Sequence, residues 1–355
     1  MGCTMLTITL LFSILAGSGS GDSPIKPLWK VDLKTFLESA ASVADIDQDG
    51  DDEILVAGRE EIIAVDGNGK ILWRVPGKVR FMTYPTILNL QNRALIYAAD
   101  CGGWMHCWDG KGTLVWEKEL AGPAEWSAAV VLTGQPNEPS RIIQTDTTGM
   151  VWAFDAVTGE VVWKTNIEGA GVSPCVADVN NDSLPEIIVA SANGMLFCLN
   201  SSGNVLWSHV IGAPSPTWAT GAPIVFSTAT QGAILAAPAA EGGVTCFSGT
   251  GDILWKRQLR GPLASGLSAG DIDEDGVADL FAITQLGVVY RFTETGNPVW
   301  EIDMQGRTLA AGAILDVNAD GKQDFILCTQ QGLLLAIDQD AHIFYQWQAP
   351  SRTIN

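Results

Sequence analysis

The chain has 355 residues, of which 47% are hydrophobic and only 17% charged, with 38 glycines and 13 tryptophans. Its formal net charge of −20 disfavours nucleic acid and anionic membrane surfaces as partners. Length alone would allow two domains, but a repeat runs through nearly the whole chain, and helical periodicity is essentially absent from it.

In chain order, Leu6 to Ala16 form an apolar run of signal-peptide length, followed by AGSGSG with a cleavage-like Ala16-Gly17-Ser18. The expected layout is a signal peptide over residues 1–20 and one domain over 21–355. The run is too short to span a bilayer. No Lys or Arg precedes it, and Cys3 lies before it, where a lipoprotein would need its cysteine after it.

From Ser42 onward the chain repeats one plan: a short apolar run, a polar loop, then three more runs of about five residues separated by Gly, Asn and Asp turns. The last run of each unit carries a tryptophan. The series is Trp29, Trp73, Trp116, Trp163, Trp207, Trp255 and Trp300, at spacings of 43–48 residues. Four strands per period of that length predict an all-β, seven-bladed β-propeller, with eight blades as the alternative. Inner strands are expected near Ser42, Tyr84, Ser127, Ser173, Gly221, Ser268 and Ala311. One outer strand is surplus. The N-terminal Leu28–Asp32 is expected to close the last blade because it keeps the tryptophan, whereas Ile343–Trp347 has Tyr345 in that position.

Four units replace the first loop with an acidic nonapeptide: Asp45–Glu53, Asp178–Glu186, Asp271–Asp279 and Asp316–Asp324. Oxygen-bearing side chains stand at positions 1, 3, 5 and 9, the spacing of a loop that wraps a hard cation, for which Ca²⁺ is the natural occupant. These loops hold 17 of the 40 acidic residues, which a merely solvated surface would not concentrate so regularly. The expected ligands are Asp45, Asp47, Asp49 and Glu53 with the Asp51 carbonyl, and Asp178, Asn180, Asp182 and Glu186 with the Leu184 carbonyl. The later loops offer Asp271, Asp273, Asp275 and Asp279 with Val277, and Asp316, Asn318, Asp320 and Asp324 with Lys322. Up to four structural Ca²⁺ ions follow. Three units lack the acids and are expected to bind no metal.

The loops resemble the FG-GAP (VCBS-type) repeats of integrin α-subunit propellers, and Ala153–Trp163 (AFDAVTGEVVW) resembles the tryptophan-docking repeat of quinoprotein-like (PQQ-like) propellers. The resemblance implies Ca²⁺ in the loops and partner binding on the opposite face. It also admits two other roles: a scaffold like the lipoprotein of the β-barrel assembly machinery, or a quinone-dependent dehydrogenase. The adjacent cysteine pair of those dehydrogenases is missing here. A calcium-propeller polysaccharide lyase is a further alternative.

Six cysteines remain after the signal segment. Cys107, Cys198 and Cys246 fall where other units carry Ala64, Ala153 and Ala336, and Cys175 and Cys328 also lie within strands. All five therefore read as small buried hydrophobes rather than disulfide partners, with Cys101 near the surface. On the face opposite the acidic loops, Arg80, Tyr84, Trp104, Trp126, Trp218, Arg260 and Arg307 fall outside the regular series and are candidates for contacting a protein or glycan. The resulting expectation is a secreted, periplasmic or cell-surface calcium-binding module without catalytic activity.

Overall fold

The computed structural model describes residues 29–134, 138–215, 221–228, 232–263, 266–304, 306, 308, 311–318 and 320–348. Twenty-eight strands form seven four-stranded antiparallel sheets, and within each sheet the spatial order follows the chain order. This is the seven-bladed propeller expected from the repeat. Blade 1 comprises Leu37–Ala44, Glu53–Gly58, Glu61–Val65 and Ile71–Pro76. Blade 7 comprises Ala313–Leu315, Asp324–Cys328, Leu333–Ile337 and Ile343–Gln348. No helix among the described residues is long and apolar enough to cross a membrane.

Hydrophobic patterning explains where each strand lies. Second and third strands are covered on both sides, so Glu53–Gly58, Glu186–Ser191 and Val288–Phe292 are buried throughout and read as apolar runs apart from Glu53, Glu186, Ser191 and Arg291. Fourth strands face solvent on one side, and Val161–Asn166, Val205–Val210 and Pro298–Asp303 alternate accordingly. First strands line the central channel. Their hydroxyls stitch neighbouring blades: Ser42 Oγ donates to Pro85 O at 2.5 Å, Thr86 Oγ1 to Ala129 O at 2.6 Å and Ser268 Oγ to Gly312 O at 2.6 Å.

Each regular tryptophan docks on the third-to-fourth-strand turn of the following blade. The indole Nε1 of Trp73 donates to Gly110 O, that of Trp163 to Ser201 O and that of Trp255 to Glu294 O, at 2.8–3.0 Å. The turn carries glycine because the ring lies against it: at Gly203, with φ 82°, a Cβ would come within 2.6 Å of the Trp163 ring. Directly across the ladder from the tryptophan stands a small residue: Ala64 opposite Trp73, Cys107 opposite Trp116, Cys198 opposite Trp207 and Cys246 opposite Trp255. A bulge follows at the same place in every blade.

Two expectations need correction. The fourth strand of the last blade is Ile343–Gln348, paired with Leu333–Ile337, and residues 29–33 join no sheet. Trp29 nevertheless docks as its counterparts do, donating to Gly67 O at 2.8 Å. Val31, Leu33 and Leu37 join it against Ile54, Val56, Ile63 and Val65, the side of blade 1 turned away from blade 2. A complete sheet at the C-terminus leaves the N-terminal segment no ladder to enter, so it serves as packing. The second correction concerns Cys328. It is exposed, because it lies on the side of blade 7 turned away from blade 6, whereas Cys107, Cys198 and Cys246 are fully buried and Cys175 and Cys101 half-buried; all six thiols are free. Burial pushes the Cys107 and Cys198 thiols up to about 12.

Candidate metal loops and the opposite face

The four acidic loops connect first to second strands and therefore share one face of the ring. In each, position 1 clasps the loop backbone. Asp45 Oδ1 accepts from Gln48 N at 2.6 Å and its Oδ2 from Gly50 N at 3.1 Å; Asp178, Asp271 and Asp316 accept from the residues at positions 5 and 6 in the same manner. The tight turn puts position 6 in the left-handed region, suited to Gly50, Gly276 and Gly321, and Ser183 adopts it at φ 69°.

Position 9 opens the second strand and is nearly inaccessible to solvent: Glu53, Glu186 and Asp324 are each 2% exposed. One oxygen of each accepts the amide of position 2, from Ile46, Val179 and Val317 at 3.0–3.1 Å. Burial raises the pKa of Glu53 and Glu186, reinforced by neighbouring loop carboxylates, and pushes Asp324 up to about 6.

The donor chemistry grades from loop to loop. In the first, carboxylate oxygens of Asp45, Asp47 and Asp49 lie within 4.8 Å of one another, an oxygen-only set that suits a hard divalent cation. In the second and fourth, the Asn180 amide nitrogen donates to Asp182 and Glu186, and that of Asn318 to Asp320. In the third, Asp271, Asp273 and Asp275 are also within 4.8 Å, but Arg291 reaches in from the third strand of the same blade and pairs with Asp273 and Asp279. Sequence reasoning missed Arg291. The available signal was its position opposite Trp300, where the other blades carry Ala or Cys.

The first and second loops also lean on the next blade. The Ile46 carbonyl lies so close to Gly110 that a Cβ there would stand 1.9 Å from it, and Val179 O bears on Gly249 in the same way at 1.5 Å. Any larger residue would push the loop away.

On the opposite face, crossovers between blades are tied to the second-to-third-strand turns they pass, as in Cys101 N to Arg80 O at 2.9 Å and Thr147 N to Pro123 O at 2.8 Å. Tyr84 and Trp126 are each 40% exposed, and Trp126 holds a φ of 60°. Tyr84 borders a channel cavity of 380 Å³ with Val43, Thr86 and Val130. Arg80 is exposed. Trp104 is half-buried with the Lys78 ammonium 2.9 Å over its ring, and Arg260 pairs with Glu301 at 2.7 Å. Trp218 and Arg307 lie outside the described residues. Beneath this face are two buried acids. Asp100, which burial alone would raise, is held low by His106 at 3.1 Å and by the Trp104 and Gly102 amides, while Asp146 accepts from the Trp152 indole at 2.8 Å.

The comparisons place this geometry among known propellers. A family model of the lambda-carrageenase β-propeller domain matches residues 141–218 and 234–330. Lambda-carrageenases of Pseudoalteromonas sp. and Pseudoalteromonas carrageenovora are 37% identical over 79 residues, which is 22% of this chain but only 8% of theirs. The match thus spans a small part of those relatives. Among solved structures, BamB from Moraxella catarrhalis superposes with a TM-score of 0.62 at 17% identity, covering 89% of this chain and 87% of that one. Sqt1 of Saccharomyces cerevisiae superposes at 0.62 and 15% identity, covering 87% and 84%. BBS1N, in a structure titled as its complex with ARL6DN, superposes at 0.58 and 12% identity, covering 89% and 94%. At these identities the structural likeness establishes the fold.

Proposed function

We propose that this chain is a calcium-stabilised propeller, exported from the cytosol, that binds a macromolecular partner on the face opposite its acidic loops. The observation that carries the binding reading is Trp126. A bulky residue held in the left-handed region while leaving 40% of its surface in solvent is strained for only a partial gain in packing. Tyr84, with the same exposure at the channel mouth, adds a second aromatic anchor of the kind that dominates interfaces. Calcium is supported by the converging oxygens of the first loop and by the FG-GAP-type spacing of all four. Its part is structural: a cation would offset the mutual repulsion of half-buried carboxylates and stabilise the folded state by mass action.

The test is a peptide and glycan array probed with the protein in calcium, followed by the Trp126→Ala and Tyr84→Ala variants. A ligand whose binding falls tenfold or more in either variant supports the face assigned here. Unchanged binding in both would move the interface elsewhere. A second reading, favoured by the family match over residues 141–218 and 234–330, is a polysaccharide-directed domain, whether binding or cleaving. It requires retention on lambda-carrageenan oligosaccharides, and release of new reducing ends would make the chain an enzyme.

A further inference from the structure

The third acidic loop does not fit the scheme of the other three. In blades 1, 4 and 7 the third-strand residue behind the loop is Ala64, Cys198 or Ala336, each opposite the aromatic residue of the fourth strand. In blade 6 it is Arg291, opposite Trp300 and 3% exposed. Its Nη2 donates to Asp279 Oδ2 at 2.7 Å and to Asp273 Oδ2, which are positions 9 and 3 of the loop. Its Nη1 donates to Gln339 O at 3.0 Å, the carbonyl that also receives the Trp300 indole. Its Nε is buried without a partner. Asp279 therefore holds a guanidinium, where Glu53, Glu186 and Asp324 hold the position-2 amide of their own loop.

We propose that Arg291 is the built-in cation of the third loop, so that its guanidinium and a divalent ion are alternative occupants of the space between Asp273 and Asp279. The charge balance supports this. Four acidic side chains belong to that loop, and a guanidinium held between two of them offsets one unit of their charge without any ion. The link to Gln339 gives the arginine a second task. It fastens blade 6 to the turn of blade 7 at the point where the first and second loops rest backbone against Gly110 and Gly249. This inference extends the calcium reading of the other loops, and its test separates the two.

Calcium bound to the full chain is counted by equilibrium dialysis for the native protein and for Asp45→Asn, Asp271→Asn and Arg291→Met. Asp45→Asn should remove one ion, Asp271→Asn none, and Arg291→Met should add one. Loss of an ion in Asp271→Asn, a change that leaves both carboxylate partners of Arg291 in place, overturns the proposal even if Arg291→Met does not fold. If no variant binds calcium, the calcium reading of the other loops fails, and melting in chelator judges Arg291 on its own. Arg291→Lys and Asp279→Asn should each lower the melting temperature, with the double variant no lower than the worse single one. Additive losses overturn the assignment.

Discussion

The boundary between blades 3 and 4 and the outward side of blade 1 bury their apolar surface differently. At the first, Val151, Ile143 and Ala153 of one blade and Ile187, Val189 and Leu199 of the next share one cluster, over which Trp163 docks. At the second, the outward side of blade 1 is completed by Trp29, Val31, Leu33 and Leu37, and Trp29 alone reproduces the docking contact. Consecutive blades are covalently adjacent and can evolve matched faces as a repeat. The outward side of blade 1 is covered instead by the N-terminal segment, which packs there without joining a sheet.

The largest test of that difference removes strands. Deleting 343–355 should unfold blade 7, because its third strand loses its whole outer ladder. Trp29→Ala should leave a cooperatively folded ring that melts lower. Chemical denaturation of both would settle the order, and a Trp29→Ala variant less stable than the deletion would return closure to the N-terminal segment. Next in size is Trp163→Ala, which should cost about 3–5 kcal/mol through a cavity at a regular boundary. A loss below that of Trp29→Ala would erase the distinction between the boundaries.

Removing metal should follow. Each loop that binds calcium forfeits about 3 kcal/mol when a hundredfold excess over Kd is withdrawn, so chelation should lower the melting temperature by several degrees. An unchanged melting curve would refute the calcium reading. Dependence on pH sharpens this at the last blade, whose loop contains Asp324. Its folded pKa, about 6, lies above the unfolded value near 4. Its contribution is therefore complete below about pH 4 and is lost as pH rises through 6. In chelator the protein should melt higher at pH 5.5 than at pH 7.5, and Asp324→Asn should flatten that slope. With calcium the slope should reverse, because the ion requires the ionised carboxylate. The smallest effect belongs to Trp126→Ala, which should shift stability by no more than about 0.5 kcal/mol in either direction, as expected for a surface side chain. A shift comparable to Trp163→Ala would make Trp126 a packing element.

Much of the ring was legible in the sequence because its determinants are local and repeated. A tryptophan every 43–48 residues, glycine in the turn it covers and strands of two burial patterns define a blade without reference to any other. The acidic spacing was legible for the same reason: position 1 binds the backbone only a few residues away. Arg291 was not, because what it does depends on which strand lies behind which loop. Cys328 was not either, since its neighbours are set by where the ring closes.

The sequence by itself therefore determined the blade, the count of seven inner strands and the place of the acidic loops between first and second strands, since each follows from side-chain period and turn chemistry within one unit. Only the tertiary structure decided which chain end completes the last sheet, that Trp29 docks without joining a ladder, and that one acidic loop carries its own cation. Those outcomes arise from tertiary contacts such as Trp29 with Gly67 and Arg291 with Gln339, 38 and 48 residues apart, where the packing geometry, and not local propensity, selects the partner.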